Sequence, residues 1–90
     1  MASDKRPQLA KRVRLQIDPV NREPVLLSQE AVILLNRTGH EVLARCDGTR
    51  MLSQICAELE TLYPTAGPVL AQDVSRYLER FTQKGWVEWI

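Results

Sequence analysis

Two cysteines, one histidine and four scattered glycines leave little from which to build a reactive centre. Cys46 and Cys56 are far fewer than a disulfide scaffold uses, and they are separated by nine residues with no second cysteine pair or histidine pair, so a zinc site lacks ligands. Both are expected to be buried free thiols, packing like small hydrophobes. His40 has no nucleophile near it in sequence and reads as a surface residue. Gly39, Gly48, Gly67 and Gly85 are dispersed, and none belongs to a phosphate-cradling loop. Glu58 and Glu60 fall on an outward helical face, where solvation accounts for them. No apolar run approaches the roughly 20 residues of a membrane span. The opening MASDKRPQLAKR has no apolar centre like that of a signal peptide, so cytoplasmic residence is the expectation. There are no repeats. With no metal ligands, no cofactor loop and no catalytic constellation, neither an enzyme nor a cofactor is expected, and a binding module is the class that remains.

What the chain does have is an ordinary globular balance, 44% hydrophobic and 26% charged over 90 residues. That size supports one modest core, burying roughly 60% of the unfolded surface. The charge is uneven. Residues 1–24 hold six cations against three anions, net +3 in a chain of net +1. Such a basic arm suits an acidic partner or nucleic acid, or else is a solvated tail and strand face.

The chain turns from strand-like to helical between Ala31 and Gly48. Before that junction, residues 1–10 are polar and aperiodic and are expected to be a flexible tail, leaving 11–90 as a single domain. Val13, Leu15 and Ile17 alternate with polar residues, the period of a strand with one wet face. Asp18-Pro19 starts a turn. Val25-Leu26-Leu27 follows Pro24 as a second strand, and Ala31–Leu35 is a third. Short connections make these an antiparallel meander with the first and third strands at its edges.

Three helices are expected after the strands. Thr38 and Glu41 form a capping-box spacing at the start of the first, and Asp47-Gly48 ends it. Thr49 is the expected cap of the second, whose stripe is Leu52, Ile55, Cys56, Leu59, Leu62 and Tyr63, with Pro64 as its stop. Thr65-Ala66-Gly67 connects to a third helix that opens at Pro68, buries Leu70, Val74, Tyr77, Leu78 and Phe81, and ends at Gly85. The closing WVEWI packs on the body or adds a short strand. The fold class is α+β, a winged-helix-like arrangement of an N-terminal three-stranded antiparallel sheet followed by three helices.

That order also describes a winged-helix nucleic-acid-binding domain. Its third helix would offer Arg76, Arg80 and Lys84 offset by Asp73 and Glu79, a poor face for phosphate. A sheet-edge reading fits better. If Ala31–Leu35 is an edge strand, an extended peptide can pair with it while the third helix walls a groove, with Arg76, Tyr77 and Arg80 as anchors. Tyr77 as core and both arginines as solvated is the alternative. An exposed edge and an apolar C-terminus also leave room for a homodimer.

The segments PVLLSQEAVILLN, LNRTGHEVLARCDGTR and DVSRYLERFTQKGW, in this order and spacing, resemble the PqqD family of pyrroloquinoline quinone biosynthesis proteins, from about Arg12 to the C-terminus. Gly39 and His40 stand where better helix formers would be expected. The resemblance implies a non-enzymatic recognition domain of winged-helix-like fold. Its partners would be the ribosomally made precursor peptide PqqA and the radical S-adenosylmethionine (SAM) enzyme PqqE, with no nucleic acid or membrane. It further implies that the peptide adds as a strand to the third strand and lies on the third helix. Carried onto this chain, the peptide-binding residues are Val32, Ile33, Leu34 and Leu35 together with Asp73, Arg76, Tyr77 and Arg80.

Overall fold

The computed structural model describes residues 5–65 and 68–90. Its elements run β1 (Pro7–Leu9), β2 (Arg14–Ile17), β3 (Pro24–Leu27), β4 (Val32–Leu34), α1 (Arg37–Ala44), α2 (Leu52–Leu62), α3 (Pro68–Gln83) and β5 (Val87–Trp89). The fold is α+β. The three expected strands form an antiparallel sheet in the order β2-β3-β4, with Leu15 opposite Leu26 and Leu26 opposite Ile33. The β2–β3 turn forms as its residues dictate: Asp18 Oδ1 accepts the Val20 N–H at 2.8 Å.

A second sheet, β1-β5, joins the two ends of the chain. Pro7 lies opposite Trp89, and Arg6 and Ile90 exchange backbone bonds of 2.7 and 2.9 Å. The expected flexible tail over residues 1–10 is therefore corrected from Pro7 onward, while residues 1–4 lie outside the described residues. Pro7 is fully buried, and its carbonyl accepts the Gly48 N–H at 3.0 Å. On its other side β1 bridges to Asp47 through Gln8, and a proline with no N–H to donate, in so short a run, hides the strand from alternation-based reading. The apolar C-terminus does add a strand.

Helix starts differ from expectation by two residues. Asn36, extended at φ −86° and ψ 176°, caps α1, and its Oδ1 accepts the Gly39 N–H at 2.7 Å. Asn is at least as strong a cap as Thr, and it stands where the chain leaves β4. Thr38 is thus inside the helix, and Glu41 pairs instead with Arg45 at 3.5 Å. Thr49 does not cap α2. It bonds Asp47, and Gln54 Oε1 takes the Met51 N–H at 2.8 Å. Glu58 is also more than a solvated carboxylate. It receives Arg45 Nε at 3.0 Å and Arg50 Nε at 2.8 Å, tying the end of α1 to α2. Ala66 and Gly67 of the expected connection lie outside the described residues.

The core gathers the inner faces as expected. Leu26, Ile55, Leu59 and Leu78 are fully buried, surrounded by Leu35, Val42, Leu43, Leu70, Val74, Phe81 and Val87. Each large side chain removed from water contributes about 1.5–3 kcal/mol. Of the cysteines, Cys46 is buried while Cys56 is only half-buried, because it lies at the margin of the α2 stripe; both are free thiols. Gly85 takes φ +79° at the end of α3, the left-handed conformation a helix stop requires.

Candidate functional site

β4 is an edge strand: β3 pairs with one side of it, and nothing among the described residues pairs with the other. Ser28 N–H donates to Ala31 O at 2.9 Å and Leu35 N–H to Pro24 O at 3.1 Å. The residues turned toward β3 are therefore Ala31, Ile33 and Leu35. Antiparallel alternation then directs the N–H and C=O of Val32 and Leu34 to the open side. Their side chains share a face of the sheet and are 63% and 69% exposed. Ile33 and Leu35 point the other way, the first packed against the core and the second within it.

The chain passes from Leu35 directly into Asn36 and α1, and a cleft opens at this end of β4. It measures about 260 Å³, lies between the first turn of α1 and the near face of α3, and is walled by Val42, Leu70, Val74 and Tyr77 with Asn36, Thr38, Gly39 and Asp73 around them. Val42, Leu70 and Val74 are buried apolar side chains, so the walls are greasy and the surround polar. The Tyr77 ring is held from below by Phe81, stacked at 4.5 Å, which in turn meets Trp86 edge-on at 5.2 Å. Arg80 places its guanidinium 5.7 Å from the Tyr77 centroid, within cation–π range. Burial pushes the Tyr77 hydroxyl above its ordinary value, the nearby Arg80 charge opposing this, so the phenol is neutral near pH 7.

Of the expected binding residues, then, Val32 and Leu34 supply the open edge, and Asp73 and Tyr77 the cleft, with Arg80 beside Tyr77. Ile33 and Leu35 turn their side chains to the core and their backbone groups to β3. Arg76 is not brought to the cleft: it lines a separate groove of about 800 Å³ between α2 and α3, with Leu52, Cys56 and Trp89. Sequence reasoning missed Asn36, Thr38, Gly39, Val42, Leu70 and Val74 as cleft residues. The signal was present for Asn36, a strong capping residue directly after an apolar run, and for Gly39, an otherwise unexplained glycine in a helix.

The remaining charges and thiols do not converge on this cleft. The ion pairs among the described residues join Arg45 and Arg50 to Glu41, Asp47 and Glu58, away from Asp73 and Arg80. Burial, reinforced by the Asp47 charge, pushes the Cys46 thiol up to about 12. Among the described residues no three His, Cys, Asp or Glu side chains come together, and no helix is long and apolar enough to cross a membrane.

Fold and site together define a small winged-helix-like domain with an open sheet edge at β4 and, from Asn36 just past that strand, an apolar cleft between α1 and α3. The chain belongs to the PqqD family: residues 23–87 match the family model for coenzyme PQQ synthesis protein D. It is 34% identical over 82 residues to the PqqA binding protein of Stutzerimonas stutzeri, spanning 91% of this chain and 88% of that one. It is 37% identical over 81 residues to the PqqA binding protein of Xanthomonas axonopodis, spanning 90% and 88%. The solution structure of the PqqD truncation of Methylobacterium extorquens PqqCD, described as a functional, stand-alone recognition element for ribosomally synthesised and post-translationally modified peptides, superposes with a TM-score of 0.79 at 30% identity, covering 97% and 93% of the two chains. The heterocyclase TruD contains the same fold, with a TM-score of 0.67 at 18% identity over 12% of its length.

Proposed function

We propose that this chain binds the precursor peptide PqqA by strand addition to β4 and presents it to the radical SAM enzyme PqqE. The observation that carries the reading is the outward direction of the Val32 and Leu34 backbone groups beside an apolar cleft. Two residues offer two donors and two acceptors, enough for four main-chain hydrogen bonds. At a net ~1 kcal/mol each these give about 4 kcal/mol, while ordering a flexible peptide costs about 2–5 kcal/mol. Backbone pairing supplies register but almost no net affinity.

Micromolar binding needs about −8 kcal/mol, so side chains of the peptide must bury themselves. A large apolar residue entering the cleft between α1 and α3 contributes about 1.5–3 kcal/mol. Further burial over Val32, Leu34 and Tyr77 adds comparable amounts. Asp73 at the cleft margin, and Arg80 over the Tyr77 ring, then choose among peptides by charge. The names borne by the Stutzerimonas and Xanthomonas relatives support PqqA as the ligand.

The domain performs no bond-making in this reading. It raises the concentration of a flexible substrate at the enzyme and limits its orientations. Support for coupling to an enzyme comes from the Methylobacterium relative, whose domain is a truncation of the larger PqqCD. Calorimetric titration of the protein with PqqA tests the first half: saturable heat with a micromolar Kd is expected, and no binding at millimolar peptide refutes it. Rate measurements on PqqE with and without the domain test the second.

A further inference from the structure

Gly39 is buried in the first turn of α1, and its backbone is not in the left-handed region that favours glycine. Glycine is the poorest helix former after proline, so its presence there calls for a steric reason. The reason is Tyr77. A Cβ on residue 39 would overlap the Tyr77 hydroxyl, and would stand 3.0 Å from the ring carbon bearing it and 3.1 Å from Asn36 Oδ1. Only glycine lets the tyrosine from α3 close against α1 while Asn36 keeps its 2.7 Å cap to the residue-39 amide.

We infer that Gly39 is a specificity-determining residue: by seating Tyr77 against α1 it fixes the width of the cleft, and so the size of the peptide side chain that enters. The inference rests on the peptide-binding reading of this cleft. Tyr77 cannot absorb an added methyl freely, because its ring is stacked on Phe81 at 4.5 Å. It must swing into the cleft, or α1 must lift and lose its cap. Either change alters the shape of the space. A cavity of about 150 Å³ holds a benzene ring, so the present cleft of about 260 Å³, open on one side, takes one large aliphatic or aromatic side chain. The chemical class selected is a peptide with a single bulky apolar residue adjoining its β4-paired segment.

The test is an alanine scan of the apolar positions of PqqA, titrated against the wild-type protein and against Gly39→Ala, each variant checked for folding by thermal unfolding. In the wild type, one apolar-to-alanine replacement is expected to weaken binding about tenfold or more. Gly39→Ala is expected to weaken the parent peptide by about the same factor and to become nearly indifferent to that one replacement, which is the signature of coupled positions. Adding Tyr77→Phe removes the colliding oxygen and is expected to restore both affinity and discrimination to within about threefold. A purely structural role for Gly39 would lower stability without moving the scan profile. If Gly39→Ala does not fold, the same panel on Tyr77→Ala substitutes, where preference must shift toward a bulkier peptide residue. An unchanged profile in either folded variant overturns the inference while leaving peptide binding intact. No binding by the wild type overturns both.

Discussion

Leu34 lies opposite Val25 in the β3–β4 ladder while its own N–H and C=O face away from the sheet. A proline at position 34 therefore removes a donor from the open edge without breaking a native bond. Leu34→Pro is expected to fold, since proline is tolerated on edge strands, and to bind PqqA at least about fivefold more weakly, from the ~1 kcal/mol net of one backbone bond. Ile33→Pro attacks the inner side and is expected to cost about 1–3 kcal/mol of stability through an orphaned carbonyl in β3. Urea unfolding and peptide titration of the two variants separate edge from ladder.

Deleting residues 1–9 removes β1 from beneath the C-terminus. The loss of buried Pro7 and of the Arg6–Ile90 backbone bonds is expected to cost on the order of 2–4 kcal/mol. That is a large share of a stability of about 5–10 kcal/mol. A merely flexible arm would leave the urea midpoint where it was.

Glu58 is held below its ordinary value by the hydrogen bond from Arg50, with Arg45 assisting. Asp47 is held down chiefly by its bonds from Thr49. A carboxylate with a folded-state pKa below its unfolded one stabilises the fold fully above the unfolded pKa, and that contribution disappears as pH falls through the folded pKa. The melting temperature is thus expected to be flat near neutrality and to fall on acidification below about pH 4.5, the ordinary glutamate value. Glu58→Gln is expected to flatten that acid limb, most visibly at low salt, because the Glu58–Arg50 pair is reached by solvent.

Cys46 and Cys56 are expected to react at very different rates. The Cys46 thiol, buried and pushed up to about 12, offers almost no thiolate at pH 8. Cys56 is also raised by burial but stands partly open on α2. Iodoacetamide should modify Cys56 first, with Cys46 following only on unfolding, as read by mass spectrometry of digested protein.

The strands, the helices and their order were legible because period two and period 3.6 are written in apolar positions such as Leu15, Leu26, Ile55 and Leu78. β1 was not, because Pro-Gln-Leu has no pattern of its own and becomes a strand only through the chain's other end, 80 residues away in sequence. The capping errors share one cause. Thr38 and Thr49 matched local rules, but Asn36 and Met51 occupied the positions that the tertiary path made the true starts, the second with Gln54 reaching back to its N–H. Val32 and Leu34 as edge and Tyr77 as wall were reachable from the chain's own pattern, whereas Asp73 entered only through the family resemblance. Gly39 was visible as an oddity, and its reason lies entirely in a long-range approach by Tyr77 that no local pattern encodes.

The most direct test of peptide capture at the β4 edge is a titration of the isotope-labelled protein with PqqA, following backbone amide shifts. The largest changes are expected at Val32 and Leu34, whose N–H groups gain partners, and around Asn36, Gly39, Asp73 and Tyr77. The amides of Ile33 and Leu35, already turned toward β3, should move less. Shifts confined to the α2–α3 groove around Arg76 and Cys56, or none at high micromolar peptide, would contradict binding at this edge.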